Sequence, residues 1–260
     1  FRKLSLRHFV VARLRPNDSW QDQSVTVVIP CRNEQGNIEE VVNRLPKLGT
    51  HTQVIFVEGH SDDNTWSEII RVIGLNPSMD IKAIQQSGVG KGNAVREGFQ
   101  KAKGDVLMIL DADLTVAPED LPKFYAEIAS GRGEYINGSR LVYSMESEAM
   151  RFLNYLANRS FASIFSFLLN QSYSDTLCGT KVIGRKHYEK LIGGRPYFGD
   201  FDPFGDFDLI FGATKLNLKI SEVPIRYRKR QYGVTQISRF RHGILLIRMV
   251  VFAFRKLKLV

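Results

Sequence analysis

Cysteine is scarce: Cys31 and Cys178 are the only two among 260 residues. Two thiols cannot build a disulfide framework or a thiolate zinc site by themselves, and such usage suits a reducing compartment. Long apolar runs are also missing. The closest stretches, Phe152 to Leu169 and Gly243 to Phe254, are interrupted by Asn154, Asn158 and Arg159 and by Arg248, and fall short of the roughly 20 uncharged apolar residues that a spanning helix requires. The opening FRKLSLRHFVVARLRP lacks the unbroken apolar core and small-residue cleavage site of a secretory leader. Because it starts at Phe1 rather than Met, it reads as the continuation of an upstream segment. Acidic residues are outnumbered, 27 Asp and Glu against 36 Lys and Arg, a net charge of +9. Such a surface attracts anions: nucleic acid, acidic lipid headgroups or a phosphorylated substrate. A hydrophobic content of 43% excludes disorder and supplies the core of one large domain or two small ones.

Strand and helix signals alternate along the first half of the chain. Val25 to Ile29 is a β-branched run ended by Pro30, and a helix follows with Asn37 as N-cap, Glu39 and Glu40 in its first turn, and Ile38, Val41, Val42 and Leu45 as its apolar stripe. Strands are then expected at Gln53 to Val57, Ile81 to Ile84 and Asp105 to Leu110, with helices at Asp63 to Ile73 and Ala94 to Ala102. This spacing predicts an α/β domain, a mostly parallel sheet with helices on both faces. Ligands in such sheets lie beyond the carboxyl ends of the strands.

Those ends are acidic on a basic chain. Glu34 follows the first strand, Glu58, Asp62 and Asp63 the second, and Asp111-Ala112-Asp113 the fourth. Asp-x-Asp directly after a buried strand offers hard oxygen ligands to Mg²⁺ or Mn²⁺, which can bridge a diphosphate; capping of the next helix is the plainer reading. The glycine segment Ser87 to Asn93 is neither a P-loop, since Gln85 and Gly92 stand where Gly and Ser or Thr are needed, nor a dinucleotide fingerprint, which belongs after the first strand. It remains a turn opening a helix, with Lys91 placed to meet an anion. The five histidines, His8, His51, His60, His187 and His242, show no metal-ligand spacing. Phe152 to Leu169 and Gly243 to Phe254 suit either an interfacial helix or one packed on a soluble core. PYFGDFDPFGDFDLIF, 196–211, suits either a lid or core packing of Phe201, Phe204 and Phe207.

Several short motifs in order carry a resemblance: Val28-Ile29-Pro30-x-x-Asn33-Glu34, Ser61-x-Asp63-x-Thr65, Gly90-x-Gly92-x-Ala94, Asp111-Ala112-Asp113-Leu114, Gly138-Ser139-Arg140, Ser174-Asp175-Thr176-x-x-Gly179, and Glu222-Val223-Pro224-Ile225 followed by Arg230-x-x-Gly233. Together they resemble an inverting family-2 glycosyltransferase of the GT-A fold, most similar to the polyprenol-phosphate sugar transferases. The resemblance spans about Val25 to Gln236. It implies that Pro30, Arg32, Glu34 and Glu58 border the nucleoside, that Asp111 and Asp113, with Ala112 between them, hold the metal and diphosphate, and that Arg140 and Arg230 neutralise phosphate. Asp175 and Lys181 fall on the implied acceptor side. Asp206 or Asp208 stands where many members carry a base. The chain departs from the pattern in Glu58-Gly59-His60-Ser61, where this branch has Asp-Asp-Gly-Ser, in Arg32 for Tyr, and in Gln236 for a phosphate-contacting Lys.

The expected organisation is a basic arm (1–24), a GT-A domain (25–236) and a basic amphipathic C-terminal helix (237–260). The leading function is metal-dependent transfer of a sugar from a nucleotide-sugar to a polyprenyl phosphate, at the cytoplasmic face of an anionic membrane. Two alternatives stay open: a soluble family-2 enzyme with a hydroxyl acceptor and Asp206 or Asp208 as base, and a non-catalytic basic anion-binding module. Nucleic acid is not an expected partner, since Arg226 to Arg230, Arg239, Arg241 and Arg248 come without a groove-reading or stacking module.

Overall fold

The computed structural model describes residues 12, 22–143, 152–194, 207–233 and 239–258. Within them, strands β1 (Val25–Cys31), β2 (Thr52–Glu58), β3 (Asp80–Gln85), β4 (Val106–Ile109), β5 (Tyr135–Ser139), β6 (Lys181–Gly184) and β7 (Ile220–Pro224) form one sheet in the order β3-β2-β1-β4-β6-β5-β7. Every pairing is parallel except those of β6, which runs antiparallel to both β4 and β5. The carboxyl ends of the six parallel strands therefore share one edge. The amino end of β6 lies at that same edge, which brings the residues just before Lys181 alongside those just after β4.

Alternation along the strands divides the core in two, as the period of a β-strand dictates. Val28, Ile55, Val57, Leu107, Ile109, Tyr135 and Ile183 face a layer containing α3 (Lys91–Lys101), α5 (Phe152–Leu169), α6 (Arg185–Gly194), α7 (Phe207–Lys215) and α8 (Arg239–Leu257). Val25, Val27, Ile29, Val54, Phe56, Val106, Met108, Ile136 and Val182 face α1 (Ile38–Arg44), α2 (Thr65–Leu75) and α4 (Leu121–Ala129). In the first layer Phe165, Phe207 and Phe211 meet at centroid separations of 5.0 to 6.1 Å. Phe207 is therefore a core residue; Phe201 and Phe204 lie outside the described residues.

Helix α8 departs from a simple amphipathic pattern. Leu246, Met249 and Ala253 pack into the core, yet Ile244, Ile247, Val251 and Phe254 are exposed, so apolar side chains line two of its sides. Helix α5 does the same: Ala162, Phe165, Leu168 and Leu169 are buried, whereas Leu156, Ile164 and Phe167 are exposed.

Candidate active site

The loops after β1 and β2 brace one another. Asn33 accepts the Asp62 amide at Oδ1 (2.8 Å) and donates its own amide to Ser61 Oγ (3.0 Å). The Glu34 amide donates to Thr65 Oγ1 (2.9 Å), whose hydroxyl donates in turn to Asp63. Glu58, buried at the end of β2, accepts the Ser61 amide at 2.6 Å. The Ser61-x-Asp63-x-Thr65 motif thus works as lacing that fixes Glu34. Pro30 and Cys31 pair in register with Val57 and Glu58, so Pro30, Arg32 and Glu58 share one corner of the edge. Arg32 is half exposed there and meets Asp62 at 3.9 Å. Asn33, His60 and Leu114, after β1, β2 and β4, all adopt left-handed backbone with φ of 56°, 56° and 57°; strain of this kind gathers at functional edges.

Asp111 and Asp113 follow β4, each against a cation. Lys91 Nζ lies 2.6 Å from Asp111 Oδ1. Lys91 is the first residue of α3, three positions earlier than the sequence suggested, and it meets a carboxylate. Arg230 forks: Nη1 donates to Glu34 Oε1 at 2.7 Å and Nη2 to Asp113 Oδ2 at 2.6 Å. The remaining Asp113 oxygen accepts the amide (3.0 Å) and hydroxyl (2.7 Å) of Thr115. Burial pushes the Glu34 carboxyl above its ordinary value, and Arg230 together with Asn37, which donates Nδ2 at 2.6 Å, opposes that shift. Asn37 stands at the N-cap position of α1, as the sequence suggested, but after a 3₁₀ turn (Gln35–Asn37) its side chain makes no capping hydrogen bond and its Nδ2 serves Glu34 instead.

Deeper in, Arg140 and Asp175 form a buried pair. Asp175 accepts the Arg140 amide (3.1 Å), Nε (2.6 Å) and Nη2 (2.9 Å), and the Leu177 amide (2.9 Å). Burial pushes the Asp175 carboxyl up, but Arg140 and these hydrogen bonds outweigh it and hold the group below its usual range. The guanidinium of Arg140 stacks 5.2 Å from the Tyr227 ring. Asp175 is fully buried, as is Lys181, whose Nζ donates to Asn137 Oδ1 (3.0 Å) and to the Cys178 carbonyl. Both side chains lie inside the fold, Asp175 bonded to Arg140 and Lys181 to the turn that leads to Gly179.

After β7 the chain crosses the edge. Ile225 donates to the Ser139 carbonyl and Arg228 to that of Thr115, both at 2.9 Å, and the Tyr232 ring sits so close to Gly36 that a methyl group there would collide with it. Tyr227, read in the sequence only as part of a basic run, is the residue that pattern reasoning missed. Burial raises its phenol pKa, and it lies near enough to Asp113 and Asp111 to interact with both. Asp208, in the first turn of α7, is paired with Arg96 Nη1 at 3.2 Å. Asp206 and Gln236 lie outside the described residues.

The edge can thus take a diphosphate and a cation. Among the described residues no three His, Cys, Asp or Glu side chains converge into a protein-only metal cage. Two hard carboxylates beside two cationic groups, Lys91 and Arg230, fit Mg²⁺ or Mn²⁺, which complete their sphere with substrate phosphates and water.

Residues 26–192 match the model of glycosyl transferase family 2. A dolichol-phosphate mannosyltransferase of Pyrococcus furiosus is 33% identical over 137 residues, 52% of this chain and 38% of that protein. An undecaprenyl-phosphate 4-deoxy-4-formamido-L-arabinose transferase of Edwardsiella ictaluri is 33% identical over 220 residues, 81% of this chain and 62% of that protein. The chain spans less than two thirds of either relative's length. Glucosyl-3-phosphoglycerate synthase of Mycobacterium tuberculosis superposes with a TM-score of 0.65 at 16% identity, over 90% of this chain and 80% of that one, and so shares the fold. The family match covers well over half of the chain, and the chain belongs to glycosyl transferase family 2.

Proposed function

We propose that this domain transfers a sugar from a nucleoside-diphosphate sugar to a polyprenyl phosphate at an anionic membrane surface. The observation that carries this reading is the meeting of Asp111 and Asp113 with Lys91 and Arg230 at the carboxyl edge of the sheet. The acceptor phosphate oxygen attacks the anomeric carbon, and the bond from that carbon to the diphosphate breaks on the opposite face. Lys91 and Arg230 receive the charge that collects on the leaving diphosphate. A Mg²⁺ or Mn²⁺ ion held by Asp111 and Asp113 would act as a Lewis acid on that group. Pro30, Arg32 and Glu58 border the nucleoside.

A phosphate monoester is already anionic near neutral pH, so its attack needs no general base. Asp208 agrees with this, because it is committed to Arg96. The relatives named above carry dolichol phosphate and undecaprenyl phosphate in their names. Helices α5 and α8 supply a surface for such a lipid: exposed Leu156, Ile164, Phe167, Ile244, Ile247, Val251 and Phe254 accompany Arg159, Arg248, Arg255 and Lys256, and neither helix contains Asp or Glu. Apolar side chains with cations at the headgroup level make an interfacial face. No described helix is long and apolar enough to cross a membrane. The buried free thiols Cys31 and Cys178 support a reducing, cytoplasmic side.

The test is Mn²⁺-dependent release of nucleoside diphosphate from UDP- and GDP-sugars, with and without polyprenyl phosphate. Release should require the lipid phosphate and vanish in Asp113→Ala. Turnover that ignores lipid phosphate but accepts a sugar hydroxyl would favour the soluble alternative, and an active Asp113→Ala protein would remove the metal site.

A further inference from the structure

We propose that Lys91 and Arg230 act as internal counter-ions that make cation binding and diphosphate binding mutually dependent, so that the two enter by an exchange of partners; this rests on the function proposed above. Asp111, Asp113 and Glu34 are each already paired with a cation. Asp111 holds Lys91 at 2.6 Å, while Asp113 and Glu34 share the two arms of Arg230 at 2.6 and 2.7 Å. Asp113 has its other oxygen bonded twice to Thr115, and the free side of Asp111 is walled by Gly179.

A divalent ion can reach both carboxylates only if Lys91 and Arg230 leave them. Alone, the ion would force two positive groups out of their pairs and hold them beside its own charge, an arrangement that like-charge repulsion disfavours. A diphosphate removes the conflict. Its oxygens receive Lys91 and Arg230 as the carboxylates turn to the ion, and the number of opposite-charge contacts is preserved. Arg230 makes the exchange felt along the segment that crosses the edge, because its fork ties that segment to the β1 and β4 loops, alongside the backbone bonds of Ile225 and Arg228, the Tyr227 stack on Arg140 and the Tyr232 contact. Reciprocity then requires that the cation tighten the nucleotide by the same factor by which the nucleotide tightens the cation.

The experiment measures Mn²⁺ binding by electron paramagnetic resonance, with no nucleotide and with saturating UDP or GDP, on the wild-type protein and Arg230→Gln, and in the nucleotide-free arm alone, because Arg32 borders the nucleoside, on Arg32→Gln as a control that removes one nearby charge without touching Asp113 or Glu34. Wild type should bind Mn²⁺ at least about tenfold more tightly with nucleoside diphosphate than without it, and isothermal titration of the nucleotide with and without Mn²⁺ should return the same factor. Arg230→Gln should bind Mn²⁺ alone roughly fivefold better than wild type, the upper end for one partly exposed ion pair, whereas Arg32→Gln should change it less than about twofold. Lys91→Gln tests the same exchange at Asp111 if Arg230→Gln does not fold. Equal Mn²⁺ affinity of wild type and Arg230→Gln without nucleotide, or an equal gain in Arg32→Gln, overturns the exchange and leaves the transferase reading intact. Absence of nucleoside diphosphate binding even with Mn²⁺ overturns both.

Discussion

Gly179 lies against the carboxylate of Asp111 so closely that a methyl group on its α-carbon would collide with Oδ2 of Asp111 and with Nζ of Lys91. The contact exists because β6 runs against its neighbours and delivers its amino end to the edge where β4 ends. Gly179→Ala should therefore push Asp111 off its position while the core stays whole. Overpacking of this kind costs about 1–3 kcal/mol, which corresponds to a melting temperature lower by roughly 2–10 °C. Turnover should fall further, by about tenfold or more, since misplacing a reacting group by an ångström can cost about a hundredfold. Thermal melts and nucleoside diphosphate release on the same preparation check both. An alanine variant that turns over like wild type would show that Asp111 can move aside harmlessly.

The Arg140–Asp175 pair should respond differently to one substitution and to two. Asp175→Asn keeps the shape but leaves a buried guanidinium uncompensated, a loss of about 3–5 kcal/mol. Arg140→Met with Asp175→Leu removes both charges and should recover most of that stability, although it still loses the Tyr227 stack. The pH dependence has a definite sign. Asp175 is held below its usual range in the fold, so its contribution is complete above the unfolded value of about 3.9 and is lost as pH falls through that value and the folded one. Wild-type melting temperature should decline on acidification below about pH 4 more steeply than that of Asp175→Asn. Parallel acid limbs for the two proteins would mean that other carboxylates govern that range.

Much of this was legible in the chain. Short β-branched and apolar runs marked β1, β2, β3 and β4, and the acidic residues after the first, second and fourth marked the edge where Asp111 and Asp113 stand. Pro30 was read as the stop of β1, but the strand runs on to Cys31 because β4 pairs only as far as Val28, and a residue without an amide proton costs nothing on that side. The antiparallel β6 left no signature: Lys181–Gly184 is four residues with a lysine at the start, and that lysine is buried with Asn137 and the Cys178 carbonyl among its partners. Which way Asp175 and Lys181 point depends on those partners, which are distant in sequence. The same holds for Arg230, which lies 196 residues from Glu34 and 117 from Asp113.

Asp208 separates the two transferase mechanisms. Its carboxylate is engaged by Arg96 on α3 and is mostly buried. If the acceptor is a phosphate, Asp208→Asn should cost about 1–2 kcal/mol of stability through the weakened charged hydrogen bond, with turnover within about threefold of wild type, less than 1 kcal/mol in the barrier. Loss of a general base costs about 10²–10⁴-fold. Steady-state rates with polyprenyl phosphate, corrected for folded fraction, decide between these outcomes, and a fall of the larger size would return Asp208 to the catalytic set.

The exposed faces of α5 and α8 can be tested apart from the chemistry. Ile247 and Val251 sit one turn apart on α8 and are 58% and 46% exposed, so Ile247→Glu with Val251→Glu disturbs no core contact and should leave melting within about 0.5 kcal/mol per site of wild type. If this face enters a bilayer, the pair removes apolar burial worth about 1.5–3 kcal/mol for each fully buried side chain and adds two negative charges against anionic headgroups. Sedimentation with phosphatidylglycerol vesicles should then weaken by about tenfold or more. Wild-type binding should also weaken with added salt, because Arg159, Arg248 and Arg255 would act on the headgroups through a screened field. Lys258, which lies 5.1 Å from the Phe167 ring and donates to Asn170 Oδ1 at 2.7 Å, ties the end of α8 to α5, so the two helices should present one continuous face. Phe167→Glu should accordingly lower vesicle binding like the α8 substitutions. Equal sedimentation of wild type and the double variant would sink the membrane reading of this face, whatever the enzyme's acceptor.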